Sequence, residues 1–202
     1  MTNTLSNFRN VHKGEKVIVC GCGTSLNQIE KHHKDFITIG VNDVPKLFMP
    51  TYLVVTDHPI RFNEGRRKLV VESTPKAFFT CVKGWTNKKV VLFDLGNRSI
   101  RNIDSDNKVD YCLDSPYVAA IIAYKMGFSK IGLIGVDFTP DHFYARDGDH
   151  PLSQLKKLNQ VKEGYRILKD AFDKKNVDFY NLSQDSLIDS IPKINIEKFR
   201  SL

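Results

Sequence analysis

The chain predicts an α/β fold of Rossmann-like type, with a mostly parallel sheet, helices on both faces and a short lid loop. Three observations predict it. Short β-branched runs recur along the chain, separated by helical or loop stretches, as strands covered on both sides do. The first run passes straight into a turn built on Gly21 and Gly23. The exits of later runs carry Asn42-Asp43, Asp57-His58 and Asp137, at the strand ends where open α/β sheets hold ligands.

The elements follow in order. Residues 1–13 are a polar lead-in. Lys16-Val-Ile-Val-Cys20 reads as a buried strand, and Ser25 to about Lys34 as a helix with Leu26 and Ile29 inward. Phe36–Val41 and Tyr52–Thr56 are further strands, and Ala77–Cys81 and Val90–Phe93 resemble them in composition. Residues 94–112, rich in Asn, Asp and Arg, read as an excursion or loop. Ser115 suits a helix cap and Pro116 a first helical position. Tyr117 to Met126 is apolar almost all round, so this helix is expected to be buried, and Gly127 ends it. Lys130–Val136 follows as a central strand with Asp137 at its exit. Residues 138–152 form a long polar, aromatic loop, expected to act as a lid. From about Ser153 to Lys174, Leu155, Leu158, Val161, Tyr165, Leu168 and Phe172 recur at helical spacing. Val177–Asn181 is a last strand, and the tail from Leu182 holds a short helix or turn before Pro192.

Size and composition bound the function classes. The 202 residues form one domain, 1–202, with ordinary shares of hydrophobic (41%) and charged (26%) residues. No run of eighteen apolar residues exists, and the N-terminus lacks the apolar core of a signal peptide. A cytoplasmic protein is expected, with peripheral membrane contact left open. Cys20, Cys22, Cys81 and Cys112 are then reduced, and their spacing does not make a zinc site. The net charge of +7 is scattered; it suits an anionic ligand and gives only weak support for nucleic acid. Oligomeric state is left open.

Three constellations carry the candidate chemistry. Small residues after the first strand let backbone approach a ligand, and the amides and hydroxyls of Gly21, Gly23, Thr24 and Ser25 suit a phosphate. The third glycine of a dinucleotide fingerprint is missing, which argues against a conventional NAD site. The exits at Asn42, Asp57 and Asp137 converge on the same edge. The loop 138–152 offers His142, Tyr144, Arg146, Asp147, Asp149 and His150. A histidine there can take a proton from a sugar hydroxyl. Asp147, Asp149 and His150 are alternatively metal ligands or a solvated turn.

The pieces Val17 to Leu26, Asn42, Ser115 to Phe138, His150 and Tyr180 to Leu187 resemble, in order and spacing, the bacterial sialyltransferases of glycosyltransferase family 42. They also resemble related proteins of flagellin and surface-polysaccharide glycosylation. The family pattern is a strand, Gly-Asn-Gly-Pro-Ser-Leu, a later Cys-Asn, Ser-Gly before a helix, a Gly-[Ile/Val]-Asp-Phe exit, and a lid with tyrosines and a histidine. Here Cys22 stands for the Asn, Thr24 for the Pro and Pro116 for the Gly, and the lid is shorter. The resemblance implies a nucleotide-sugar donor, often CMP-linked, a saccharide or other hydroxyl acceptor, and no cofactor or metal in the chemistry. It implies that Gly21, Gly23, Thr24, Ser25, Asn42 and Ser115 bind donor and that Asp137 shapes the pocket; Asp57 joins the substrate-binding residues from its strand exit alone. Tyr144 would steady the leaving phosphate and His150 would be the general base.

Two other readings stand beside this one. A magnesium-dependent diphosphokinase-like enzyme would hold its metal with Asp57, Asp137 or Asp147. A nucleotide- or DNA-associated binding module would rest on the positive charge alone.

Overall fold

A computed structural model describes residues 3–139, 143 and 155–202. The β-branched runs form β1 (Lys16–Cys20), β2 (Ile37–Val41), β3 (Tyr52–Val54), β4 (Ala77–Thr80) and β5 (Val90–Leu92). Beyond a short pair, β6 (Asp94–Leu95) and β7 (Lys108–Val109), come β8 (Lys130–Ile134) and β9 (Asp178–Asn181). Seven strands make one sheet in the order β5-β4-β3-β2-β1-β8-β9. All neighbours in it are parallel. The chain runs outward from β1 to β5, then returns to place β8 on the other side of β1. The strand order therefore reverses between β1 and β8, and an α/β sheet opens its crevice at such a reversal.

Strand alternation assigns the two faces. Val17, Val19, Val54, Phe79 and Leu133 point into the larger core, with the helices α2 (Ser115–Lys125) and α3 (Leu155–Asp173). Ile18, Cys20 and Ile134 point the other way, with Leu26, Ile29 and Phe199 of α4 (Ile196–Ser201). Further along that second face, Leu53, Val55 and Phe78 meet Val70 of α1 (Glu64–Glu72), Phe62 and Trp85. Helix α2 is buried almost all round because it lies over β1, β2, β3 and β8 at once.

Three local expectations are corrected. The stretch Ser25 to Lys34 is two short 3-10 turns, Thr24–Ile29 and His33–Asp35, whose amides reach carbonyls three residues back, Leu26 to Gly23 and Glu30 to Asn27. Residues 94–112 are not all loop, since β6 and β7 pair in parallel. The cap position of α2 is Asp114, with extended backbone, and Ser115 is the first helical residue. The tail has a turn at 184–185 before Pro192, as expected, and a further helix, α4, after it. The lid over 138–152 lies outside the described residues except for Phe138, Thr139 and Phe143. No described helix is long and apolar enough to cross a membrane.

Candidate functional site

The exits of β1 and β8 pass each other backbone to backbone. A Cβ on Gly21 would lie 2.3 Å from the Gly135 carbonyl oxygen, and one on Gly23 would lie 2.3 Å from Asp137 Oδ2. Gly135 has φ of +68°, a conformation that costs glycine least. These glycines are required by the protein's own crossing strands. The signal read in the sequence as a ligand approach is first a strand-to-strand approach.

Asp137 closes this crossing. Only 2% of its surface is exposed. The Ser25 hydroxyl donates to Asp137 Oδ1 at 2.6 Å, and the Ser25 amide donates to Oδ2 at 2.9 Å. Thr24 Oγ1 lies 3.5 Å from the same Oδ2. Ser25 Oγ in turn accepts the Gly135 amide at 2.8 Å. The negative charge at this turn is thus the protein's own carboxylate, so the amide and hydroxyl of Ser25 are committed internally. Phe143 caps the turn by donating its amide to the Cys22 carbonyl at 3.0 Å.

The neighbouring exits bring further groups to the same edge. Asn42 ends β2 with φ of +48°, and its buried side-chain oxygen has no hydrogen-bond partner among the described residues. Phe138, just past β8, has φ of +57°, which is unusual for a bulky residue; strained backbone of this kind collects at functional sites. Ser115 Oγ lies 2.9 Å from Thr56 Oγ1, which joins the first turn of α2 to the exit of β3. Asp57, one residue on, turns to Arg61 at 3.2 Å, and its carbonyl accepts the Trp85 indole N–H. It shares the edge but is engaged in its own surface pair.

Four groups that the sequence did not single out belong here: Thr56, Arg66, Asp114 and Tyr165. Arg66 of α1 makes a bidentate contact with buried Asp43, with Nη2 to Oδ2 at 2.7 Å and Nε to Oδ1 at 2.8 Å. It also stacks over Phe62 at 4.3 Å. Asp114 accepts the Tyr165 hydroxyl at 2.7 Å on one oxygen. The backbone amides of Tyr117, in the first turn of α2, and of Asp114 itself also face the carboxylate. Burial pushes the Asp114 carboxyl up to about 7. One signal for Asp114 was present in the sequence, an Asp directly before Ser-Pro at a helix start. None marked Arg66, whose place depends on how α1 packs.

Burial, with the Asp43 charge adding to it, pushes Cys22 up to about 12, and its S–H faces the Val41 carbonyl. Among the described residues, no three His, Cys, Asp or Glu side chains gather as a metal-binding group. Tyr144 and His150 lie outside the described residues, as do Asp147 and Asp149.

No protein-family model matches the chain, and no curated protein matches it in sequence. Solved structures do resemble it. The sialyltransferase CstII, solved with a trisaccharide acceptor and CMP, has a TM-score of 0.57 at 14% identity, over 89% of this chain and 86% of that one. The monofunctional α-2,3-sialyltransferase Cst-I from Campylobacter jejuni gives 0.53 at 16% identity, over 91% and 82%. The Maf glycosyltransferase from Magnetospirillum magneticum AMB-1 gives 0.63 at 14% identity, over 98% of this chain but 38% of that protein. The α/β Rossmann-like fold of this chain is the fold these glycosyltransferases share.

Proposed function

We propose that this chain is a glycosyltransferase that takes a sugar from a nucleotide-sugar donor, CMP-linked, and passes it to an acceptor hydroxyl. One observation carries the reading. Asn42, the Thr56–Ser115 pair and the Ser25–Asp137 brace stand on a single sheet edge, around the reversal between β1 and β8. The shared fold with sialyltransferases, one of them solved with CMP, supports the choice of donor.

In this mechanism Ser115 and Asn42 hold the nucleoside, while Gly21, Gly23 and Thr24 border the phosphate. Asp137 keeps the turn rigid through Ser25. His150 takes the proton from the acceptor hydroxyl as that oxygen attacks the sugar's anomeric carbon. The bond to the nucleotide phosphate breaks, and Tyr144 donates to the leaving oxygen. No metal enters the chemical step.

A thermal-shift series with CMP, UDP, GDP and ATP tests the binding part, because a ligand of the native state alone raises its melting temperature. CMP is expected to raise it most. Hydrolysis of a CMP-sugar in the presence of EDTA, lost in His150→Ala, tests the chemical part. A chain that none of the four nucleotides stabilises would refute the proposal, and strict magnesium dependence would favour phosphoryl transfer instead.

A further inference from the structure

At the other end of the sheet, where β8 and β9 begin, the chain forms a separate cavity of about 340 Å³, within the size range of small-molecule sites. The N-terminal lead-in makes one wall. The amides of Asn10, His12 and Gly14 hold it there by donating to the carbonyls of Lys125, Met126 and Gly127 at the end of α2. Those carbonyls, which would repel an anion, are thereby covered. Buried Phe128 and Val177 give the cavity an apolar base. Arg9, Lys13, Lys125 and Lys175 line it together with Asp104 and Asp106, an excess of two positive charges. Asp106 pairs with Arg9 and Asp104 with Lys175, so the excess rests on Lys13 and Lys125. Lys125 is only 8% exposed. Its ammonium donates to the Ile103 carbonyl at 2.8 Å and to the Ser105 carbonyl, and no described carboxylate pairs with it. An ammonium has three donors, so one is left unfilled among the described residues. Burial pulls this group below the usual lysine range. An anion in the cavity completes the lysine. The apolar base disfavours a free hydrated ion, while the two carboxylates suit hydroxyl donors. A dianionic head on a body with C–H faces and hydroxyls meets all three demands.

We infer that this cavity binds a sugar phosphate, its phosphate held by Lys13 and Lys125 and its hydroxyls by Asp104 and Asp106. The cavity stands at the amino ends of the strands, since Ser129 and Val177, just before β8 and β9, line it. Asn42 and Asp137 stand at the carboxyl ends. The two sites are therefore separate and can be filled together, and this one does not depend on the nucleotide proposal.

The test is calorimetric titration of the full chain with the phosphates of glucose, N-acetylglucosamine and ribose, beside inorganic phosphate and free glucose. At least one sugar phosphate is expected to bind more than about tenfold tighter than either partial probe, the scale of a hydrogen bond to a charged group. Lys13 is exposed, so Lys13→Glu leaves the fold intact and should weaken that binding by more than about tenfold, while Lys13→Arg should retain most of it. Lys125→Met should abolish it; if that variant does not fold, the Lys13 pair decides. CMP affinity should be the same in all of them. Inorganic phosphate binding as tightly as the sugar phosphates, competition between sugar phosphate and CMP, or an unchanged affinity in Lys13→Glu overturns the inference. So does a chain that binds CMP and none of the three sugar phosphates, which leaves the nucleotide proposal standing. A chain that binds a sugar phosphate but not CMP does the reverse.

Discussion

Ser25 Oγ stands 2.6 Å from Asp137 Oδ1 and, through the Gly135 amide, ties the turn after β1 to the exit of β8. This contact crosses the point where the strand order reverses. Ser25→Ala removes two hydrogen bonds and leaves a buried carboxylate short of a donor. The expected loss is about 1–3 kcal/mol, with Asp137→Ala at the upper end. For a chain of this size that lowers the melting temperature by roughly 2–4 °C per kcal/mol. Chemical denaturation of both variants checks it, and a loss of under half a kcal/mol would show that the brace matters little.

Gly23→Ala and Gly65→Ala make a contrasting pair. A Cβ at Gly23 meets Asp137 Oδ2 at 2.3 Å, while one at Gly65 in α1 has its nearest neighbour at 3.8 Å. Gly23→Ala should cost about 1–3 kcal/mol through forced displacement of the strand exit. Gly65→Ala should raise stability by about 0.5–1 kcal/mol, since alanine loses less backbone entropy in a helix. Equal effects at both positions would contradict the backbone crossing.

The Asp43–Arg66 pair is expected to behave as a unit. Arg66→Met leaves Asp43, 1% exposed, without its bidentate partner and should destabilise by about 3–5 kcal/mol. The double change, with Asp43→Asn added, should cost less than Arg66→Met alone. A double-mutant cycle measures the coupling. Simple additivity would mean that the two side chains do not depend on each other.

Asp114 predicts a slope of stability with pH. Its carboxyl is raised from the usual value near ~3.9 to about 7 in the folded chain. Between those values the unfolded chain has released a proton that the folded chain still holds. This group's contribution is therefore full below pH ~4 and is lost as pH rises toward ~7. Around it, Tyr165, Tyr117 and Cys112 are all pushed upward by burial, away from this window. The difference in melting temperature between wild type and Asp114→Asn should move in favour of the variant from pH 4 to pH 7, then level off. A flat difference across that range would place the Asp114 carboxyl near its ordinary value.

Much of the sheet was legible because parallel strands buried on both sides must be apolar throughout. Val17 to Cys20 and Ile131 to Ile134 therefore stand out without any knowledge of their neighbours. Gly127 ended α2 where expected, since a left-handed position after a helix is a local demand; its φ is +94°. The turn after Gly23 was not legible for the opposite reason. Its residues have helical spacing, but their first amide and hydroxyl bond to Asp137, more than a hundred positions away. Arg66 reads in the chain as one of three consecutive basic residues, and only the packing of α1 brings it to Asp43.

Local chemistry alone determined the strands, the buried helix and the fact that polar residues sit at strand exits, because each follows from the spacing of nearby side chains. The order of the strands was decided only in three dimensions, and with it the meeting of Ser25 with Asp137, Thr56 with Ser115, and Asp114 with Tyr165. Those pairs are distant in the chain, and their hydrogen bonds exist only where tertiary packing brings the elements together.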